Sequence, residues 1–334
     1  TELALTRIFS VVMYYHFAFL AISIALFGLS ASGVFAYVAR QWLERKSTSR
    51  LLATESLVYA VATIVALFIL IRLRVGLNYS PTNLALMLTI YTVAALPFFF
   101  GGLVITLAIT RLSSSINAVY GADLIGAALG CLLLIPLLDR LGAPGVVLAA
   151  AAMACAAAAL FASPDRRTRV AGAGAVILLV ALTGQLSGVA GFDVVDTKGH
   201  AGDQILFSKW NSFSRIGVYD RTHGDWSLSS EYSGPKPDTR FMDIDSAAST
   251  PILHVSPDLS DAQYLRYELT ALAYQLQQPG FSSLVIGPGG GRDLVSALVF
   301  GAGHVDGVEI NPIIANDVMR DRFREFSGGI YTNP

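Results

Sequence analysis

Apolar residues fill the first half of the chain in long runs, and polar or basic residues separate one run from the next. A helix of about 20 apolar residues is long enough to cross a bilayer. Six runs come close to or exceed that length: residues 8–38, 53–73, 84–110, 117–138, 144–162 and 169–189. The pattern therefore predicts a polytopic α-helical membrane domain over residues 1–190 with about six helices, and the first run should form the longest of them.

The pattern changes after residue 190, where a polar linker at 191–202 marks a domain boundary. Short runs of strand-forming residues follow, punctuated by glycine and proline, at residues 204–208, 214–219 and 240–244. They predict a small β-domain over residues 191–255. The next segment, residues 262–277, has helical spacing and stops at Pro279 and Gly280, so we expect a helix there.

Residues 282–311 contain a predicted strand, a glycine turn, a helix and a second strand, in that order. The apolar run 284–286 is typical of a buried parallel strand. Residues 292–300 have helical spacing, and residues 304–310 have the pattern of a second strand. Because this order is typical of a Rossmann-like α/β fold, we expect residues 256–334 to be the start of a nucleoside-binding domain.

The candidate ligand site lies between these two strands. Gly287, Gly289 and Gly291 let the backbone turn tightly and bring N–H groups towards an anionic ligand at a helix N-terminus. Glu309, at the end of the second strand, could accept both hydroxyls of a ribose, and Asp293 could approach the ligand's amino group. The alternatives are an N-capping or solvated Glu309, and an Asp293 that only stabilises the first helical turn.

The glycine spacing differs from the G-x-G-x-x-G of NAD-binding folds, because Arg292 stands where the third glycine would be. The segments SKWNSFSRIGVYD (208–220), RFMDIDSAASTPI (240–252) and DAQYLRYELTALAYQL (261–276) precede the loop. Together with the loop they resemble the spermidine synthase, or polyamine aminopropyltransferase, family of class I S-adenosylmethionine-dependent transferases. With the membrane domain included, the chain resembles the membrane-embedded spermidine synthase-like proteins of bacteria.

The resemblance implies a multi-pass protein of the bacterial inner membrane that binds S-adenosylmethionine, or its decarboxylated form, through the loop glycines, Asp293 and Glu309. The implied reaction is transfer of a methyl or aminopropyl group to an amine or another nucleophile. Gly290 stands where the family has an acid, and Arg266-Tyr267-Glu268 stands where it has Tyr-His-Glu. These departures argue against efficient polyamine synthesis. The family's deprotonating acid lies on a later strand, so no catalytic residue is named, and we expect sequence to be missing at both ends of the chain.

Composition agrees with a membrane protein that carries a soluble part. Hydrophobic residues make up 54% of the chain and charged residues 14%, against about 25% charged in soluble domains. The net charge of −1 gives no overall field that would attract nucleic acid. Cys131 and Cys155 lie in apolar runs and are predicted to be buried packing residues. No metal-binding cluster is predicted. The expected partners are the lipid bilayer and a small-molecule nucleoside ligand, with membrane-protein partners or a homo-oligomer left open.

Two other functions fit the same pattern. The chain could be a non-enzymatic subunit of a membrane complex that carries a degenerate transferase domain, or a transporter with a nucleoside-sensing domain. Few charges lie within the apolar runs, which counts against ion-coupled transport. Asp123 is the one acid well inside a run, where it is either a functional group or an acid near a helix start.

Five residues of the β-domain have alternative interpretations. Asp243 and Asp245 alternate with apolar residues, so we expect them on one solvated strand face, the alternative being contact with a cationic substrate. Trp210, Phe213 and Tyr219 are predicted to lie in the core of the β-domain rather than to form a stacking platform.

Basic residues predict a sidedness that conflicts with the implied cofactor. One side of the membrane would carry Arg40, Arg45, Lys46, Arg50, Arg111, Arg166, Arg167 and Arg169. The other side would carry the soluble domain with Arg7, Arg72, Arg74 and Arg140. The positive-inside rule then puts the soluble domain outside the cytoplasm. An S-adenosylmethionine enzyme needs the cytoplasm, where its cofactor is made, so we favour the cytoplasm for an active domain.

Overall fold

A computed structural model describes residues 1–13, 16–73, 79–162, 192–194, 196–200 and 202–332. The chain divides into two compact units. The membrane unit comprises Thr1–Ala201 and Trp210–Phe213, and the soluble unit comprises Gly202–Lys209 and Ser214–Pro334. The two units are described in turn.

The described residues up to 162 of the membrane unit are mostly helical: α1 Glu2–Val12, α2 His16–Val38, α3 Arg40–Glu44, α4 Thr48–Leu70, α5 Pro81–Arg111 and α6 Ile116–Phe161. Four segments in this part of the chain are long and apolar enough to cross a membrane: Phe19–Val38, Thr48–Leu70, Pro81–Arg111 and Ser113–Phe161. Large apolar side chains remain exposed along these segments, which suits contact with lipid rather than water. The chain is therefore a membrane protein.

Helix α6 contains two of the predicted runs, 117–138 and 144–162, joined across a bend at Gly142. Gly142 has φ 68° and ψ 172°, outside the helical region. A Cβ atom at this position would lie 3.0 Å from Cδ1 of Trp210. Glycine is thus needed both for the backbone conformation and for the close approach of the indole ring.

The sixth predicted run, residues 169–189, lies outside the described residues. The described residues on either side of it lie at opposite ends of the helical bundle. The Ser49 hydroxyl, at the start of α4, donates to the carbonyl of Phe161. The ring of Phe192 packs on Phe68 near the end of α4, with 6.2 Å between ring centroids. The count of six membrane helices stays a prediction.

The expectation that the first run forms the longest helix is wrong. The chain breaks at Met13, which is extended with φ −120° and ψ 178°. Helix α1 buries Leu5, Ile8 and Phe9 on one face, whereas α2 is apolar all round, so the break falls where the apolar pattern changes. Helix α2 has 23 residues and α5 has 31.

The soluble unit begins with a four-stranded sheet in the order β1-β2-β3-β4. The strands are β1 Ile205–Trp210, β2 Arg215–Tyr219, β3 Thr239–Ile244 and β4 Ala248–Leu253. One face of the sheet packs Ile216, Val218 and Met242 against a π-helix, Ile313–Arg322. The sequence predicted the first three strands and missed β4, whose segment ASTPIL contains a proline and an alanine, two residue types that are depleted in strands.

The predicted helix at 262–277 is wrong. Two 3₁₀ segments, Ser260–Tyr267 and Leu269–Leu276, are separated by Glu268, which is extended with φ −87° and ψ 135°. Backbone pairing with residues 227–229 causes the break, because Leu269 N–H donates to the Ser227 carbonyl at 2.8 Å and Glu268 forms a β-bridge with Leu228. A tertiary contact overrides the local helical pattern.

The predicted order of strand, turn, helix and strand is confirmed. Strand β5, Ser282–Ile286, pairs in parallel with β6, His304–Val308, and helix α7, Arg292–Val299, lies between them in the chain. The prediction that the first strand is buried is wrong for one of its faces, since Leu284 and Ile286 are exposed. Val285 is buried, because it points to the opposite face of the sheet.

Candidate functional site

The loop between β5 and α7 depends on glycine. Gly287, Gly289 and Gly291 have φ values of 70°, 55° and 88°, in the left-handed region that side chains disfavour. Gly287 N–H donates to the Val308 carbonyl at 2.8 Å, and Gly291 N–H donates to the Pro288 carbonyl at 2.8 Å. These two bonds hold the loop as a tight turn across the ends of both strands.

Glu309 lies against this loop. Its Oε2 accepts the Gly289 N–H at 3.1 Å, and its Oε1 accepts the Asn311 N–H at 2.9 Å. The structure thus brings together two residue groups that the sequence assigned to one site. An ionised carboxylate has about four acceptor positions, so two remain after these bonds are made. Glu309 can accept two further hydroxyl donors without giving up either backbone contact.

Two residues that the sequence did not indicate also hold the loop. The Tyr331 hydroxyl donates to the Gly289 carbonyl at 2.8 Å, and Gly290 N–H donates to Thr250 Oγ1 at 3.4 Å. Burial, and after it the charge of Glu309, raises the pKa of Tyr331, so its phenol remains a hydrogen-bond donor at neutral pH. No local pattern connects Thr250 or Tyr331 to the loop, because both contacts are long-range in sequence.

Residue 290 has no room for a side chain. A Cβ atom on Gly290 would lie 1.9 Å from the carbonyl oxygen of Pro251 in β4. Gly291 forms a β-bridge with Ile252 in the same strand. Strand β4 therefore packs directly on the backbone of the glycine loop, and glycine is required at this position for steric reasons.

Asp293 lies in the first turn of α7, as predicted, but it points towards Arg292. Its Oδ1 is 3.6 Å from Arg292 Nε, and its side chain is half exposed. Within the described residues, no hydrogen bond joins Asp293 to the glycines or to Glu309. The contacts fit an acid of the first helical turn, and its predicted role in binding a ligand amino group stays a prediction.

A buried carboxyl group lies near the start of α7. Glu268 is buried and accepts a hydrogen bond from the Ser227 hydroxyl. Burial raises the pKa of Glu268, and the positive charge of Arg292 opposes that shift. Glu268 is thus an acid whose environment favours the neutral form, with a guanidinium close enough to affect it.

Several single-residue predictions need correction. Asp243 is only 1% exposed, so the solvated strand face predicted for it is wrong. Asp245 is half-buried and accepts the Arg215 N–H at 2.8 Å. Asp243 lies on β3, an inner strand between β2 and β4, where it is paired with Gly217 and Ser249; strand alternation gives the face of a side chain but not whether that face is covered. No substrate role follows for either acid from these contacts.

The burial predictions for the aromatic residues and the cysteines are confirmed for some residues and wrong for others. Tyr219 is fully buried as predicted, whereas Trp210 is buried against Gly142. Both Trp210 and Gly142 belong to the membrane unit, so the position predicted for Trp210 in the β-domain core is wrong. Phe213 is 50% exposed, so its predicted core position is wrong. Cys155 is buried as predicted, whereas Cys131 is exposed on the apolar surface of α6. Asp123 is half-buried, and neither of its alternatives is tested.

No group of three or more His, Cys, Asp or Glu residues in the described part of the chain could hold a metal ion. No protein-family model, curated protein or solved structure matches the chain. A functional assignment therefore depends on the geometry of the glycine loop and its neighbours.

Proposed function

We propose that this protein is a membrane-bound, spermidine synthase-like transferase whose β5–α7–β6 segment begins a Rossmann-like domain for S-adenosylmethionine or its decarboxylated form. The observation that carries the proposal is the contact of the Glu309 carboxylate with the Gly289 N–H at 3.1 Å. It joins an acid at the end of one strand to the glycine turn after the neighbouring strand, and nucleoside-binding α/β folds use this arrangement to hold a ribose.

The two backbone bonds to Glu309 orient its carboxylate before a ligand arrives. Pre-organisation reduces the entropy lost on binding, because the side chain does not have to be ordered by the ligand. The unused acceptor positions of both oxygens suit the vicinal hydroxyls of a ribose. Gly287, which is exposed and has open space around it, supplies a surface that a ligand can approach closely.

The rest of the loop favours S-adenosylmethionine over the decarboxylated form. The N-terminus of α7 carries a partial positive charge that stabilises a carboxylate, and only S-adenosylmethionine has one. The acid that the resembling family places at position 290 cannot fit beside Pro251, so a cationic amine acceptor would lack a charged partner there. Methyl transfer is thus the favoured reaction. The acceptor's lone pair bonds to the methyl carbon, and the carbon–sulfur bond breaks with its electrons going to sulfur.

The test is isothermal titration of the full chain in detergent with S-adenosylmethionine. Glu309→Ala removes two hydrogen bonds to a charged acceptor, each worth about 1.5–3 kcal/mol, so affinity should fall at least tenfold, since about 1.4 kcal/mol is one decade. The matched control is Asp306→Ala, which removes an exposed carboxylate from the same strand, where it contacts His304. Equal affinities in wild type and Glu309→Ala would contradict the proposal.

A second candidate is a non-enzymatic subunit with a degenerate transferase domain. The exposed apolar face of the parallel strand pair favours it, since Leu284, Ile286, Val308 and Ile310 offer a surface of the kind that packs against other protein. Under this alternative the full chain would bind no S-adenosylmethionine in the same titration, and Glu309→Ala would change nothing except the stability of the loop.

A further inference from the structure

A cavity of about 400 Å³ lies in the membrane unit, where α2 and α5 end. This volume falls within the roughly 300–1,000 Å³ of small-molecule sites. Ala36 and Leu107 contribute apolar walls, and Arg40, Thr110 and Arg111 contribute polar groups. An apolar cavity with a few convergent polar groups is the usual form of a binding site rather than of a packing defect.

The side chains that line the cavity have a net charge of +1, because they include Arg40 and Arg111 against the single acid Glu44. Arg40 Nε donates to Glu44 Oε1 at 2.7 Å, which pairs those two side chains. Arg111 Nη2 is shielded from water and has no hydrogen-bond partner among the residues that the structure describes. A shielded guanidinium N–H without an acceptor is unfavourable, so this nitrogen is suited to an added anionic acceptor. Arg111 also lowers the pKa of Glu44, after the larger effects of Arg40.

The cavity lies at the ends of two apolar segments long enough to cross a membrane. The two neighbouring membrane segments end at Val38 and Arg111. Just beyond Val38, the half-exposed Trp42 carries the ammonium group of Lys46 3.5 Å above its ring. Tryptophan and lysine together are typical of the boundary between the hydrocarbon core and water. An occupant of the cavity can therefore place a charged group beside the arginines while apolar chains remain in the bilayer.

We propose that this cavity binds a phosphate-bearing anion through Arg111 and Arg40, and that in the membrane the anion is the headgroup of an acidic phospholipid. The planar guanidinium fork matches phosphate oxygens in a bidentate way. Basic pockets between membrane helices recognise anionic headgroups by this chemistry. A soluble phosphoester would present the same group. The site lies in the membrane unit, and it does not depend on the proposed nucleoside site.

The test measures lipid binding to the full chain by native mass spectrometry in a mild detergent. Phosphatidylglycerol is the probe, phosphatidylcholine is the headgroup control, and glycerol 3-phosphate represents the soluble source. We expect phosphatidylglycerol to bind in preference to phosphatidylcholine. Arg111→Gln should weaken its binding by about tenfold, the loss expected for one charged hydrogen bond. Arg45→Gln, an equal charge change at an exposed residue of the same loop that does not line the cavity, should stay within about twofold of wild type.

Each outcome has a definite meaning. If Arg111→Gln fails to fold, as judged by circular dichroism and gel filtration, Arg40→Gln provides the same comparison from the other side of the cavity. Glycerol 3-phosphate binding that depends on Arg111 would support the site and identify a soluble ligand. The proposal is overturned if neither phosphate probe binds the wild type, or if both variants bind phosphatidylglycerol as the wild type does.

Discussion

At the scale of single residues, two glycines of the loop are required for different physical reasons. A Cβ atom on Gly290 meets the Pro251 carbonyl, whereas Gly287 has open space around it and needs glycine only for its φ of 70°. Gly287→Ala should destabilise the loop by about 1–2 kcal/mol, the usual cost of a left-handed L-residue. Gly290→Ala should cost more than that, because β4 or the loop backbone must move. Hydrogen exchange of residues 282–311, measured by mass spectrometry, gives both values, and a Gly290→Ala loop as protected as wild type would contradict the close contact.

Only part of the candidate site was predictable from the sequence pattern. The glycines and Glu309 were predictable, because turn chemistry and strand ends are local in sequence. Tyr331 and Thr250 were not, since each reaches the loop from a distant segment. The burial of Asp243 was missed for a similar reason, because alternation along β3 defines two faces without telling which neighbours cover them.

At the scale of elements, His223 links the β2–β3 connection to the sheet and gives it a pH dependence. Its Nδ1 lies 2.8 Å from the Gly224 carbonyl, its Nε2 lies 3.2 Å from Ser249 Oγ, and its ring packs on Phe241. Burial lowers the pKa of His223, and the Gly224 hydrogen bond opposes that shift. With a lowered pKa in the folded state, the stability from neutral His223 is present above the unfolded pKa of about 6.5. It is lost as the pH falls from there through the folded-state pKa.

The free energy of unfolding of the wild type should therefore fall relative to His223→Gln as the pH is lowered below about 6.5. The slope of the difference is at most about 1.4 kcal/mol per pH unit, the limit for one proton. His304→Gln, which changes an exposed histidine of the same unit, is the control. Thermal unfolding in detergent at a series of pH values provides the measurement. A difference between wild type and His223→Gln that does not change with pH would show that this imidazole is not held neutral.

Elements were predictable where one local signal dominates. The membrane helices α2, α4 and α5 and the strands β5 and β6 follow from apolar runs and glycine punctuation. The segment 262–277 was not predictable, because the pairing of Glu268 with Leu228 competes with a helical pattern that is complete in itself.

At the scale of the whole molecule, the distribution of basic residues and the proposed function predict opposite sides of the membrane for the soluble unit. The loop after α2 and the end of α5 carry Arg40, Arg45, Lys46, Arg50 and Arg111, and the opposite end carries Arg72 and Arg140. Residues 192–194 and 196–200 lie at this second end: Phe192 packs on Phe68, just before Arg72, and Lys198 N–H donates to the Val11 carbonyl at 3.3 Å. The positive-inside rule thus directs the soluble unit away from the cytoplasm, whereas S-adenosylmethionine is made inside it.

Cysteine labelling distinguishes these two predictions for the side of the membrane on which the soluble unit lies. Ser229 is exposed in the soluble unit, and Arg45 is exposed at the arginine-rich end. Single-cysteine variants Ser229→Cys and Arg45→Cys would be made after replacing Cys131 and Cys155, the two native cysteines. If the proposed transferase function is right, a membrane-impermeant maleimide should leave Ser229→Cys unlabelled in intact cells and label it only after lysis, whereas Arg45→Cys should already be labelled in intact cells. Labelling of Ser229→Cys in intact cells would mean that the arginines set the topology. It would separate Glu309 from the cytoplasmic cofactor and so remove S-adenosylmethionine as its ligand.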